Sequence, residues 1–233
     1  MTEIVSHVGV VIVGAGSGRR MGGDKIFLSL AHKPLLAWSV DTCQDCEMVE
    51  QIVIVLSASN LKSGKDLVTK RGWSKVVKVC LGGRRRQDSV RQGLKGLKNC
   101  DVVIIHDGAR PFLTHDLIHN GLKAVQETGA AASAVPVKDT IKVADNLIVS
   151  QTLERQHLWA VQTPQVFRFD VIAQAHEQVT DDVTDDASLV ERLGHKVRLY
   201  KGSYQNIKIT TPEDWTLADA IAREREGASR HRL

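Results

Sequence analysis

Along the first half of the chain, short runs of β-branched and aliphatic residues alternate with stretches in which apolar side chains recur every three or four positions. The runs at 8–13, 52–56, 76–80, 102–106 and 131–137 read as buried strands. The stretches at 34–43, 61–71, 87–97 and 114–128 read as helices, and in the third Val90, Leu94 and Leu97 stand at i, i+4 and i+7, on one face. Strands and helices in strict alternation predict parallel strands joined by crossover helices. The expected fold is α/β: a Rossmann-like, mostly parallel sheet with helices on both faces.

The pattern breaks at Lys138. From there to Trp159 the segments are short and polar-alternating, at 140–143 and 147–153, with Asp145-Asn146 as a turn. A hairpin or projecting β-arm over about 138–159 fits better than another strand-helix-strand unit. Beyond it the spacing predicts a helix after Phe169, a helix at 187–193 ended by Gly194, and strands at 196–200 and 207–209. The last helix has a marked start, with Thr211 as N-cap, Pro212 at the first position and Asp214 three residues after the cap. No repeat or Pro/Gly/Ser linker interrupts the chain, so residues 1–233 are expected to form a single domain carrying the arm, with a charged end at 223–233 that frays.

Composition narrows the classes. The chain has 233 residues, 42% hydrophobic and 25% charged, proportions that exclude disorder and collagen-like repeats. Its longest unbroken aliphatic run is 52–56, far short of the roughly 20 residues a membrane helix needs, and no charged-then-apolar segment opens it. A cytoplasmic protein without membrane attachment is expected. Lysine plus arginine minus aspartate plus glutamate is 31 − 27 = +4, which does not demand nucleic acid and suits a small anionic substrate. With 4% aromatic residues and no clustered aromatics, a base-stacking platform is not expected, and nucleic acid is not an expected partner. Cys43 and Cys46 form a C-x-x-C, but Cys80 and Cys100 stand apart, so a four-cysteine zinc site lacks its second pair and the thiols read as packing residues.

The candidate chemistry begins after the first strand, in GAGSGRRMGGDK, residues 14–25. Its five glycines allow close backbone approach to phosphates, and two arginines and a lysine supply positive charge. A dinucleotide fingerprint would want a small residue where Arg19 stands and an acidic residue at the end of the second strand, where Leu56-Ser57 stands. A P-loop fails too, because Gly18 to Gly23 is followed by Asp24-Lys25-Ile26. A basic, phosphate-cradling loop at a strand end remains, which is where open α/β sheets bind ligands.

This loop, with Lys25-Ile26-Phe27-Leu28 after it, resembles the G-x-G-x-R-[ML]…K-Q-[FY]-L signature of the nucleotidyltransferases, and specifically the cytidylyltransferases of isoprenoid precursor synthesis. GGRRRQDSV (82–90), HDGARP (106–111), PVKDTIK (136–142), LERQHLWAVQTPQ (153–165), TDDAS (184–188) and NIKITTPED (206–214) follow in order, so the resemblance covers essentially the whole chain. It implies transfer of CMP from CTP to 2-C-methyl-D-erythritol 4-phosphate with release of pyrophosphate, a Mg²⁺ requirement, and a homodimer whose arms embrace the partner subunit. The departures are Gly14 and Gly108 where the family commonly has alanine, Ile26 for glutamine, and Gln205 for aspartate.

By the same resemblance Arg20, Lys25, Arg155 and Lys208 are the catalytic cations. Gly14, Ala15, Gly16, Gly18, Gly83, Ser89 and Asp107 hold the nucleotide, Asp107 also holds the metal, and Arg110, Thr140 and Thr163 contact the polyol phosphate. Arg86 matches a family arginine read as orienting the loop, whereas Arg84 and Arg85 read as solvated. His106 reads as a packed strand-end residue. The attacking phosphate oxygen is already an anion, so the reaction needs no base and no serine-histidine relay. It needs preorganised positive charge. Two alternatives stay open at this point: a ribitol 5-phosphate cytidylyltransferase, and a catalytically silent nucleotide-binding protein of the same fold.

Overall fold

The computed structural model describes residues 7–16 and 25–230. Gly18 and Arg20, and the rest of 17–24, lie outside the described residues. In chain order the strands are β1 (Val8–Gly14), β2 (Ser29–Leu30), β3 (Lys33–Pro34), β4 (Gln51–Leu56), β5 (Val76–Leu81), β6 (Val102–Asp107), β7 (Ala130–Pro136), β8 (Lys142–Asp145), β9 (Ile148–Thr152), β10 (Trp159–Arg168) and β11 (Arg198–Lys201). The helices are α1 (Leu35–Asp45), α2 (Leu61–Arg71), α3 (Arg86–Leu94), α4 (His115–Thr128), α5 (Phe169–Gln178), α6 (Asp186–Arg192) and α7 (Pro212–Arg230).

Seven strands form one sheet in the order β11-β7-β10-β6-β1-β4-β5. β1 pairs in parallel with β4 and β6, β4 with β5, and β11 with β7, while β10 runs antiparallel to both its neighbours. The period-2 alternation of β1 shows why the sheet is buried on both sides. Val8, Val10 and Ile12 face a cluster completed by α1 and α4, and Val11 faces one completed by α3, α5 and α6. A third cluster tucks α7 through Ala218, Ile221 and Ala222 against Leu30, Leu35 and Phe112.

The caps agree with the sequence. The Thr114 hydroxyl accepts the Leu117 N–H at 3.2 Å at the start of α4, and Gly129, at φ 78°, ends it in the left-handed conformation. Asp214 accepts the Thr210 and Thr211 N–H groups at 2.7 and 2.9 Å where α7 begins.

Three expectations are corrected. β5 is not buried on both faces: it is the outermost strand, paired only with β4, and Val77, Lys78 and Leu81 are exposed. Residues 207–209 join no sheet; they run extended, anchored by the Ile209 N–H donating to the Ala109 carbonyl at 2.9 Å. β10 has no counterpart in the sequence reading, because Pro164 interrupts its hydrophobic pattern and the register shifts between Val161 and Gln165. The arm is present as the two-stranded β8-β9 hairpin, turned at Asn146 and Leu147, both at positive φ.

Candidate active site

The sheet order reverses between β1 and β6: the chain leaves β1 for β4 and β5 on one side and returns to β6 on the other. Val13 and Asp107 are paired across this switch point, and a crevice opens beyond them at the carboxyl ends of the two strands. A cavity of about 390 Å³ occupies it, lined by Gly14, Ala15, Gly16, Lys25, Gly83, Arg84, Arg86, Ser89, Asp107 and Lys208, among others.

Asp107 is its electrostatic centre. The carboxylate is 6% exposed and surrounded by cations: Arg86 Nε at 3.2 Å from Oδ1, Lys208 Nζ at 2.9 Å and Arg110 Nε at 3.7 Å from Oδ2. Burial by itself would raise its pKa, but the Arg86 charge, followed by Lys208 and Arg110, outweighs that and holds it far below the usual carboxylate range. Behind it the Asp107 N–H donates to the Thr163 hydroxyl at 3.0 Å, and that hydroxyl lies 3.2 Å from His106 Nδ1. His106 Nε2 lies 3.0 Å from the Arg110 carbonyl, an acceptor, which places the ring proton on Nε2 and lets Nδ1 accept from Thr163. Burial, its largest influence, lowers the His106 pKa to about 4, so the ring is neutral at pH 7.

The turn after β5 is held from within. The Ser89 hydroxyl accepts the Gly83 N–H and donates to the Arg85 carbonyl, each at 3.1 Å. Arg85 is not the solvated cation expected from the sequence: it binds Asp88 at 2.9 Å, Asp182 at 2.9 Å and the Thr180 carbonyl at 3.1 Å. Arg86 is strung between Asp107 and the buried Asp186, whose other oxygen lies 3.2 Å from His176 Nε2. Opposite, Lys25 Nζ donates to the Ile209 carbonyl at 2.5 Å, so the extended 207–209 segment positions two lysines, one by its carbonyl and one as its own side chain.

The structure therefore brings together Gly14, Ala15, Gly16, Lys25, Gly83, Ser89, Asp107 and Lys208. Arg110 and Thr163, expected to contact the polyol phosphate, are not among the residues that line this cavity: Arg110 Nη1 donates to the Asn206 carbonyl at 2.7 Å, and the Thr163 hydroxyl accepts the Asp107 N–H. Thr140 and Arg155 are exposed on the arm and its root and do not line it; Arg155 donates to the Lys138 carbonyl. Asp186 and His176 were given no role by sequence reading, although Asp186 lies within the TDDAS segment, because its pairing with Arg86 across a hundred residues leaves no trace in local spacing. Two of the four departures from the family, Gly108 and Gln205, lie off the cavity lining. A methyl group on Gly108 would meet Leu36 and the Val13 carbonyl at 3.3 Å, and Gln205 faces Arg225 of α7 at 3.4 Å, away from the cavity.

The model of the 2-C-methyl-D-erythritol 4-phosphate cytidylyltransferase family matches residues 8–224. The chain belongs to this family. It is 48% identical over 219 residues to the 2-C-methyl-D-erythritol 4-phosphate cytidylyltransferase of Dehalococcoides mccartyi, covering 93% of this chain and 96% of the relative. It is 43% identical over 231 residues to that of Alkaliphilus oremlandii, covering 96% and 98%. The crystal structure of the 4-diphosphocytidyl-2C-methyl-D-erythritol synthase of Anaerococcus prevotii superimposes with a TM-score of 0.83 at 30% identity, over 93% of this chain and 96% of that one. Family membership makes the chain a nucleotidyltransferase enzyme, a cytidylyltransferase of the isoprenoid pathway, and disfavours both the ribitol phosphate and the silent-binder readings.

Proposed function

We propose that the crevice between β1 and β6 is where CMP is transferred from CTP to 2-C-methyl-D-erythritol 4-phosphate. The observation that carries the assignment is a buried carboxylate, Asp107, ringed by three cations at the carboxyl end of β6 and facing a glycine loop and Lys25 across the cavity. In this reading the backbone at Gly14, Ala15 and Gly16 approaches the triphosphate. Gly83 and Ser89 frame the place of the cytosine base, and Ser89, by fixing the Gly83 N–H, sets the edge that the base meets.

The substrate phosphate oxygen attacks the α-phosphorus as pyrophosphate departs. Lys25 and Lys208 stabilise the charge that builds on the phosphoryl oxygens and the leaving group, joined by Arg20 from the loop. No side chain need remove a proton, consistent with a neutral, buried His106 that serves as a strut. A divalent cation fits the donor set: Asp107 is a carboxylate at the cavity, and Mg²⁺ is characteristically held by one or two carboxylates together with substrate phosphates. Asp107 would hold it, and the ion, when bound, would neutralise phosphate charge. Among the described residues no group of three or more metal-binding side chains is gathered.

Thr140 and Arg155 complete the polyol-phosphate pocket from the partner subunit of a homodimer formed through the arm. The support is the arm itself: Leu147 is 99% exposed and Ile148 75%, surface that an isolated hairpin leaves in water. Among the described residues no helix is long and apolar enough to cross a membrane; we place the enzyme in the cytoplasm with its nucleotide substrate. Mixing the protein with CTP, 2-C-methyl-D-erythritol 4-phosphate and Mg²⁺ should release pyrophosphate, with ribitol 5-phosphate a poor replacement. No release from folded protein would overturn the assignment.

A further inference from the structure

Asp186 is 1% exposed and begins α6, yet its carboxylate oxygens are divided between two other helices. Oδ2 takes Arg86 Nη1 at 2.5 Å from α3, and Oδ1 lies 3.2 Å from His176 Nε2 of α5, itself 2% exposed. Arg86 reaches Asp107 through Nε only, and its Nη2 is buried without a hydrogen-bond partner. A guanidinium beside a single carboxylate ordinarily binds it through two parallel N–H groups. Here Asp186 holds Nη1, and Nη2, the donor that would complete a two-point grip beside Nε, is left unpaired.

We propose that Asp186 is a positioning residue for the nucleotidyl transfer site: it anchors Arg86 so that the guanidinium braces Asp107 from one side without closing over it. The inference rests on the cavity being the cytidylyltransferase site. Asp186 does not line the cavity and acts only through Arg86, which does. With the anchor removed, Arg86 can rotate into a two-point pair with Asp107, which would remove the carboxylate from the groups that receive the nucleotide and its cation. His176 keeps Asp186 from turning away, since it occupies the remaining oxygen from the far side.

The test is a double-mutant cycle on the full chain. Asp186→Asn preserves shape and removes the charge. Calorimetric affinity for CTP with Mg²⁺ and without polyol, steady-state kcat and KM, and the thermal midpoint are measured for wild type, Asp186→Asn, Arg86→Met and the double variant. Asp186→Asn should lower CTP affinity and kcat/KM by on the order of tenfold, and in the Arg86→Met background it should change neither by more than about twofold. A purely structural role would lower the midpoint but give the same activity loss in both backgrounds, and that result overturns the proposal, as does a folded Asp186→Asn protein with wild-type affinity and kcat/KM. Should Asp186→Asn not fold, Arg86→Lys keeps the charge but cannot span two carboxylates; wild-type CTP affinity in that variant overturns the proposal equally. If the wild type itself neither binds CTP nor releases pyrophosphate, the site assignment fails together with it, whereas an active wild type with equal losses in both backgrounds rejects Asp186 alone.

Discussion

At the scale of single residues, the cavity makes two sharp predictions. Lys25 is held on the Ile209 carbonyl facing the crevice, so Lys25→Ala should lower turnover by on the order of 10²-fold, as for loss of a preorganised transition-state cation, with the thermal midpoint little changed. Near-normal turnover at saturating CTP would remove it from the mechanism. Gly82 packs tightly between Ala15 and Ser89: a Cβ there would stand 2.4 Å from the Ala15 Cβ and 2.8 Å from the Ser89 hydroxyl. Gly82→Ala must push those walls apart, so KM for CTP should rise by about tenfold, accompanied by an overpacking cost of about 1–3 kcal/mol. Steady-state kinetics with a denaturation curve reads both, and an unchanged KM would show that the two walls do not jointly hold the nucleotide. The glycine loop and Lys25 are legible from local spacing and charge, whereas Gly83, Ser89, Asp107 and Lys208 are indicated by resemblance to the family's motifs. The direction in which a side chain points is not local: Arg110 and Thr163 stand in the expected segments but are engaged by Asn206 and His106, partners that chain order does not reveal.

At the scale of elements, α1 is fastened to β3 and to the end of α2 through one carboxylate. Asp41 accepts from Lys33 Nζ at 2.6 Å, Arg71 Nη2 at 2.5 Å and Trp73 Nε1 at 2.9 Å. Burial opposes its ionisation, but the hydrogen bonds from Arg71, then Lys33 and Trp73, prevail and hold the carboxyl below its ordinary value of 3.8. The unfolded chain therefore binds the proton first as pH falls, so the network's contribution is complete above the ordinary value and is lost as pH drops through the folded one. Asp41→Asn should cost about 1–3 kcal/mol at pH 7 by urea denaturation, and the gap from wild type should narrow by pH 3. An equal gap at both pH values would mean that the side chain's shape, not its charge, holds the elements together. Helices with caps and strands inside the alternating pattern were legible because each carries its own periodicity. β10 was not: with a proline in its middle it reads as loop, and only its place between β6 and β7, where both flanking strands supply partners, makes it a strand. The β-branched run of β5 announces a strand but not its position, which is why burial was overestimated there.

At the scale of the whole molecule, the arm and the crevice are separate features of one chain. Among the described residues β8 and β9 pair only with each other, and Ile148 and Val149 are left exposed beside the turn at Leu147. At the arm's root a hollow of about 520 Å³ is lined by Pro136, Val137, Glu154, Arg155, Gln156 and Trp159, none of which lines the cavity between β1 and β6. A two-stranded hairpin is marginal alone in water, and reciprocal packing about a two-fold axis is the commonest way for a chain to cover such a surface with its own copy. If Arg155 serves the crevice of the partner, loss of Arg155 and loss of Lys25 damage different pockets of a mixed dimer. Homodimers of Arg155→Ala and of Lys25→Ala should each be nearly inactive. In a mixed dimer carrying one of each, the pocket that combines the intact Lys25 of one chain with the intact Arg155 of the other is whole, and the second pocket lacks both. Roughly half of wild-type activity should therefore return on subunit exchange. Were Arg155 instead to serve its own chain's crevice, each pocket would lack one cation and nothing would return, so differently tagged subunits, purified together and assayed for pyrophosphate release, decide between the two arrangements.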